Sequence, residues 1–323
     1  MSRVLTGIQS TGTPHLGNIL GAILPAIEMA KDDKNDSFLF IADMHALTQI
    51  KDAKYLREST YSVAATWLAC GLDTERSTFY RQSDVPETAE LAWYLSCFFP
   101  YQRLTLAHSF KDKADRLEDV NAGLFTYPML MAADILLYDA DKVPVGKDQL
   151  QHLEMARDVA NRINHKMGEV LVPPDAIIQE ETKYVLGTDG NKMSKSRGNT
   201  IDIFMDEKVL KKELNKKIVT DDTPLEDPKK ADGTTVYELF KFLATAKESD
   251  DMKQQLEAGG YGWGHAKKDL LEKVLMRFSE ERIKYAHYMS HKKEIDELLG
   301  LGADKARIVA RSVITKVRTA LGY

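Results

Sequence analysis

Cysteine is nearly absent: Cys70 and Cys97 are the whole complement. Two thiols build neither a disulfide framework nor a four-cysteine zinc or iron–sulfur site. No stretch approaches the ~18 consecutive apolar residues of a membrane-spanning helix, so no membrane partner is expected. The N-terminal MSRVLTGIQS lacks a basic flank followed by an apolar core, so no signal peptide is read there and a cytoplasmic location is the default. A surplus of positive charge is missing too. With 44 Lys and Arg against 49 Asp and Glu the net charge is −5. No overall field advertises a polyanion, although a nucleic acid responds to a local patch and not to the sum. Proline and glycine are not in excess, and 43% hydrophobic with 29% charged residues excludes a disordered or collagen-like chain.

What remains is a globular chain of 323 residues, long enough for about two domains and able to bury a core without a covalent staple. The first part alternates short apolar runs with amphipathic ones. Strands are expected at 3–8, 37–42, 77–80 and 143–145. Helices are expected at 18–30, divided or kinked at Pro25, at 84–98 after an opening near Pro86, at 129–138 and at 148–164. Leu56, Val63, Ala64, Trp67 and Leu68 share a further helical face, capped near Gly71. This alternation predicts an α/β fold with a doubly wound parallel sheet, whose ligands sit beyond the carboxyl ends of the strands. After about residue 200 convincing strands disappear. Helices are expected at 208–217, 237–248, 267–290 and 305–321, with a Pro/Asp-rich connection at 221–232. The boundary is therefore placed between an α/β unit at 1–200 and a smaller all-helical unit at 201–323. The last helix carries an apolar stripe of Val309, Val313, Val317 and Leu321. Its other faces carry Lys305, Arg307, Arg311, Lys316 and Arg318 against Asp304 alone, either a solvated face or a contact for RNA.

Three constellations carry chemistry. Gly12-Thr13-Pro14-His15-Leu16-Gly17-Asn18 joins the first strand to the first helix. Backbone N–H groups and the helix dipole there face an anion, Gly17 permits close approach, and His15 and Asn18 offer donors to a phosphoryl oxygen. The plain alternative is a strand–turn–helix with a capping Asn. Lys192-Met193-Ser194-Lys195-Ser196 lies in a loop rich in Gly and Asp. Its two lysines and two hydroxyls suit a triphosphate, and flexible flanks allow closure; the alternative is a solvated basic loop. The third, Tyr127 to Leu136 (YPMLMAADIL), sets Asp134 inside an apolar segment. A charge buried there needs a donor. An indole N–H is donor-only and suits it, with Met131, Ile135, Val143 and Val145 as apolar walls. The alternative is an Asp on a helix surface.

The H-x-G-N turn after the first strand and KMSKS beyond the last, together, resemble the two signatures of class I aminoacyl-tRNA synthetases, with Asn18 in place of the final His of the first motif. The likeness sharpens to the tryptophanyl-tRNA synthetases through Gly7-Ile8-Gln9, Asp43-Met44-His45-Ala46-Leu47-Thr48, Phe110-Lys111-Asp112-Lys113, Ala122 to Pro128, Leu130 to Tyr138 and Val143 to Gln149 (VPVGKDQ). This resemblance implies a Rossmann-like catalytic unit followed by a helical unit for the tRNA anticodon. It implies that tryptophan is activated with ATP and Mg²⁺ to the adenylate, then passed to the 3′ end of tRNA(Trp), by a homodimer. Asp134 would accept the indole N–H. Tyr127, Gln149, His45 and Gln9 would hold the ammonium and carboxylate. Gln9, Ser10, Thr11, Gly17 and Asn18 would line the ATP site, with Gly146, Lys147, Asp148 and Val185 around the adenosine. Lys111, Lys113, Lys192 and Lys195 would face the triphosphate, with Met193, Ser194 and Ser196 completing the loop. His15, Asn18, Lys111, Lys192 and Lys195 are the implied catalytic set, and no dedicated metal cluster is expected. Leu5, Ser10, Ile19, His108-Ser109 and Lys147 depart from the usual pattern at pocket edges. Trp93, Tyr94, Phe98, Phe99 and Tyr101 suit either a dimer interface or a core. A tyrosyl-tRNA synthetase, a small-molecule nucleotidyltransferase of the same fold and a non-catalytic tRNA-binding paralogue are the competing readings.

Overall fold

The computed structural model describes residues 1–107, 120–146, 149–178 and 185–323. Among these, five parallel strands form one sheet: β1 (Ser2–Gln9), β2 (Asn35–Ala42), β3 (Thr78–Arg81), β4 (Lys142–Val145) and β5 (Asp175–Ile178), in the order β3-β2-β1-β4-β5. β2 carries the apolar run SFLFIA and is buried from Ser37 to Ala42, as a central strand covered on both faces must be. β1 pairs with β2 over its whole length, from Ser2↔Asn35 to Gln9↔Ala42. Its register with β4 is a single pair, Val4↔Lys142. The two strands part towards their carboxyl ends, at the place where strand order reverses. That is where a doubly wound sheet opens a crevice.

Alternate strand residues feed two cores. Leu39, Ile41 and Phe79 pack with the helix Ala53–Ala69, and this core runs on into the helical unit through Leu210, Leu239, Leu270 and Leu299. Leu5, Phe38, Phe40 and Tyr80 pack on the opposite face with the helices Glu87–Phe98, Ala122–Leu136 and Leu150–Met167.

Several elements differ from expectation. The segment expected as one helix at 18–30 is a short helix (Leu16–Asn18), a π-helical turn (Ile19–Ile23) and a helix (Leu24–Ala30). Pro25 offers no N–H to the turn before it, and the wider turn absorbs the defect. The helix expected from 129 begins at Ala122, where the Asn121 side chain accepts from the Leu124 N–H at 3.1 Å, and it runs through Pro128. β5, unexpected, follows Pro173-Pro174 and is only four residues long. The helix expected at 237–248 is two, Thr235–Leu243 and Ala246–Ala258, because Thr245 and Glu248 close a capping box between them. Phe278, fully buried, likewise divides 267–290 into Trp263–Arg277 and Ser279–Ser290.

The last helix, Lys292–Leu321, corrects two expectations. It starts earlier than residue 305, and its second half packs on the α/β core: Ala303, Ala306, Ala310, Val313, Ile314 and Val317 join the cluster of Leu5 and Tyr80. A boundary at residue 200 therefore separates texture and not packing. A Cβ on Gly302 would lie 1.7 Å from the Phe79 carbonyl oxygen, so only glycine lets the helix cross β3 this closely. Its cations each reach a partner in the chain, although Lys305, Arg311, Lys316 and Arg318 stay exposed. Arg318 meets both carboxylate oxygens of Glu90 at 2.7 and 2.6 Å, Arg311 pairs with Glu87 and Lys316 with Asp139. Lys305 donates to the Thr74 and Glu75 carbonyls and Arg307 to that of Asp84. The basic face considered as an RNA contact is thus partly neutralised by the chain's own acids and carbonyls.

Candidate active site

The crevice between β1 and β4 holds a cavity of about 560 Å³. Each element contributes for a local reason. β1 ends on Gln9 at the mouth. The π-helical turn presents its small residues Gly21 and Ala22. The helix Ala122–Leu136 places Tyr127, Met131, Asp134 and Ile135 on one face, spaced by three or four. β4 alternates Val143 and Val145 inward, and Gly146 and Gln149 follow it. All nine residues assigned to the amino-acid site thus line one cavity: Gln9, His45, Tyr127, Met131, Asp134, Ile135, Val143, Val145 and Gln149. Leu5, expected at a pocket edge, lines the cavity as well, and Thr6, Gly7 and Phe40 add lining to which sequence reasoning gave no role.

Asp134 is 3% exposed. His45 Nε2 lies 2.8 Å from its Oδ2, and Gln82 Nε2 donates to its Oδ1 at 2.7 Å. Burial pushes the carboxyl pKa up, and these two hydrogen bonds oppose that rise. His45, expected at a substrate's polar end, lines the cavity and bonds the Asp134 carboxylate. Tyr127 Oη lies 2.5 Å from the His152 Nε2, a buried partner the sequence reading did not include.

Beside the cavity the two signature loops meet. Leu16 N–H donates to the Ile201 carbonyl at 2.8 Å, and Gly17 N–H approaches the Met193 sulfur at 3.3 Å. A Cβ on Gly17 would stand 3.0 Å from His15 Nδ1 and 3.3 Å from the Met193 Cβ, a crowded fit that glycine relieves. Lys195 Nζ crosses between the loops to the carbonyls of Thr11 and Gly12, at 3.0 and 2.8 Å. Desolvation of this ammonium lowers its pKa to about 8, against the pull of Asp202. His15 and Asn18 close a reciprocal cap: His15 Nδ1 accepts from the Asn18 N–H and Asn18 Oδ1 from the His15 N–H, both at 3.2 Å. Burial, then Lys195, brings the His15 pKa down to about 4. The ring is neutral at pH 7, and with Nδ1 accepting, its proton sits on Nε2, where it can be donated.

Other expected residues fall as follows. Val185 and Met193 are buried and joined by the Met193 N–H to Val185 carbonyl bond of 2.9 Å. Ser194 and Ser196 share a hydroxyl contact of 2.8 Å, and Lys192 is exposed. Ser10 is wholly buried, so its side chain is not offered to a ligand. Asn199, unmentioned by sequence reasoning, ties the loop together: its Oδ1 accepts from Ser194 N–H and its Nδ2 donates to Asp189 and the Lys192 carbonyl. Lys111, Lys113, Lys147 and Asp148 lie outside the described residues. Among the described residues no group of three or more His, Cys, Asp or Glu side chains is arranged to hold a metal ion.

A parallel sheet with H-x-G-N and KMSKS loops meeting beside a crevice at the strand ends defines a class I synthetase core. The chain matches the family described as tRNA synthetases class I (W and Y) over residues 1–279. It is 44% identical to a tryptophan–tRNA ligase of Neisseria meningitidis over 99% of this chain and 97% of that one. The tryptophan–tRNA ligase of Campylobacter jejuni is also 44% identical, over 99% of each chain. A solved tryptophanyl-tRNA synthetase from Campylobacter jejuni, complexed with ADP and tryptophan, superposes with a TM-score of 0.95, covering 99% of this chain and 100% of that one. The chain therefore belongs to the class I tRNA synthetases of the tryptophan and tyrosine family, and within it to the tryptophan–tRNA ligases.

Proposed function

We propose that this chain activates L-tryptophan with ATP, releasing pyrophosphate, and transfers tryptophan from the adenylate to the 3′-terminal ribose hydroxyl of tRNA(Trp), releasing AMP. The observation that carries this reading is a buried acceptor, Asp134, in the wall of an apolar cavity that adjoins a two-loop cationic cradle. A site with a buried acceptor favours a flat ring with an N–H over phenylalanine, which leaves that acceptor unpaired.

The substrate carboxylate is ionised at neutral pH, so attack on the α-phosphorus needs no general base. The C–O–P bond forms as the bond to pyrophosphate breaks, and the leaving group carries away the negative charge. Catalysis is then alignment and charge neutralisation. Tyr127 and Gln149, with Gln9 at the mouth, orient the ammonium and carboxylate. The neutral His15 donates from Nε2 to a phosphoryl oxygen, beside Asn18 and the N–H groups at Gly17. Lys192 and Lys195 meet the β- and γ-phosphates, assisted by Lys111, and Mg²⁺ enters with ATP as part of the substrate. Lys147 and Asp148 serve the adenosine with Gly146. The helical unit takes the anticodon end of the tRNA, and Trp93 and Tyr101, 68% and 67% exposed, support a homodimer. Pyrophosphate exchange into ATP with each of the twenty amino acids tests the first step. Dependence on tryptophan is expected; dependence on tyrosine or on none refutes the reading.

A further inference from the structure

Gln82 is not a cavity residue. It stands behind one, in the 3-10 turn Gln82–Asp84 that leaves β3, and it is 1% exposed. Its amide orientation is set by chemistry. The Met44 N–H, which can only donate, reaches Gln82 Oε1 at 3.1 Å, so the carbonyl faces Met44 and the NH₂ faces Asp134. That NH₂ donates to Asp134 Oδ1 at 2.7 Å, while Oδ2 is held by His45. The carboxylate is held at both oxygens, at Oδ1 by Gln82 from outside the lining and at Oδ2 by His45, which lines the cavity with it.

Burial alone favours a protonated Asp134, and the neighbouring Asp43 pushes the same way. A protonated carboxyl is a poorer acceptor for an indole N–H. A neutral amide that can only donate to Oδ1 stabilises the ionised form without adding a charge to the pocket. A side chain there that accepted, or that had no polar atom, leaves the carboxyl free to take a proton or to rotate.

We propose that Gln82 is a positioning residue for substrate specificity: its amide holds Asp134 in the rotamer and ionised form that accept the indole N–H. This rests on tryptophan being the ligand that Asp134 reads.

The test compares L-tryptophan with 3-benzothienyl-L-alanine, in which sulfur replaces the indole N–H in a ring of nearly the same shape. Dissociation constants of both are measured by calorimetry on the full chain, for the wild type, Gln82→Met and Gln82→Glu. Gln82→Met keeps the volume and cannot donate. Gln82→Glu keeps an acceptor for Met44 but sets carboxylate against carboxylate. Expected is a roughly 10- to 100-fold loss of tryptophan affinity in both variants, the size of a charge-assisted hydrogen bond lost in a buried site. The analogue should change by about twofold or less, and the KM for ATP should hold. The analogue also reports that the pocket is folded. Equal losses for the two ligands, or no loss for either, overturn the proposal for Gln82 and leave the substrate reading standing. A wild type that binds the analogue as tightly as tryptophan overturns the substrate reading and the proposal together.

Discussion

Replacing Lys195 by Ala is the perturbation most directly sized by the structure. Its ammonium bridges the KMSKS loop to the Thr11 and Gly12 carbonyls, which places it at the edge of the cradle before any phosphate arrives. A preorganised donor aimed at developing charge in a partly dry site is worth ~3–4 kcal/mol of barrier, or roughly 10²- to 10³-fold in rate. Here the two carbonyls compete with phosphate oxygens for the same protons, which holds the expected loss near the lower end, about 100-fold. Rapid-quench measurement of adenylate formation in a single turnover isolates the step from product release. A loss below tenfold refutes the role. The pKa adds a second reading of the same group. With Lys195 lowered to about 8, the protonated form predominates at pH 7 and is lost as pH rises through about 8. The kcat/KM for ATP should therefore fall on that alkaline limb, since it reports the free enzyme's essential groups. Lys195→Arg keeps its charge throughout and should remove the limb; if the limb persists, another group titrates.

Three further outcomes follow from other sites. Asp134→Asn should cut the preference for tryptophan over phenylalanine by roughly 10- to 100-fold, read from pyrophosphate exchange with each amino acid; an unchanged ratio removes the acid from the pocket's chemistry. His15 titrates near 4 in the folded chain and at its ordinary 6.5 once unfolded, so the unfolded chain binds more protons between those values and stability declines as pH falls from about 6.5 to about 4. Urea melts at pH 7 and 5 should show about 2 kcal/mol of this decline vanishing in His15→Gln. Gly302→Ala should destabilise by about 3 kcal/mol through overpacking against Phe79, and a melting temperature within a degree of the wild type contradicts the docking of that helix.

Much of the cavity lining was legible because it clusters in two short segments whose periodicity is local. Tyr127, Met131, Asp134 and Ile135 fall on one helical face, and Val143 and Val145 on one side of a strand. The signature loops were legible because Gly, His, Lys and Ser at fixed offsets have few uses together. What escaped lies at long range. Gln82 sits in RQSD, which reads as a polar turn, and its partner is 52 positions away. The charges of the last helix read as a free basic stripe because nothing local reveals that Glu90 and Asp139 will meet them. The break at Thr245 had a local signal, the Thr245-x-x-Glu248 capping box, that was passed over, whereas the break at Phe278 rests on the burial of that ring in the folded chain.

The crossing of β3 by the last helix bears on how the molecule is made. β3 is an edge of the sheet, and the Arg318–Glu90 contact that helps seat the helix over this region spans 228 positions. While the ribosome is still translating the helical unit, the nascent sheet has every strand it needs but keeps that flank bare, as an invitation to a second unfinished copy. Completion of the enzyme therefore waits on its late-made helix, and a prematurely terminated product should fail by self-association more than by unravelling.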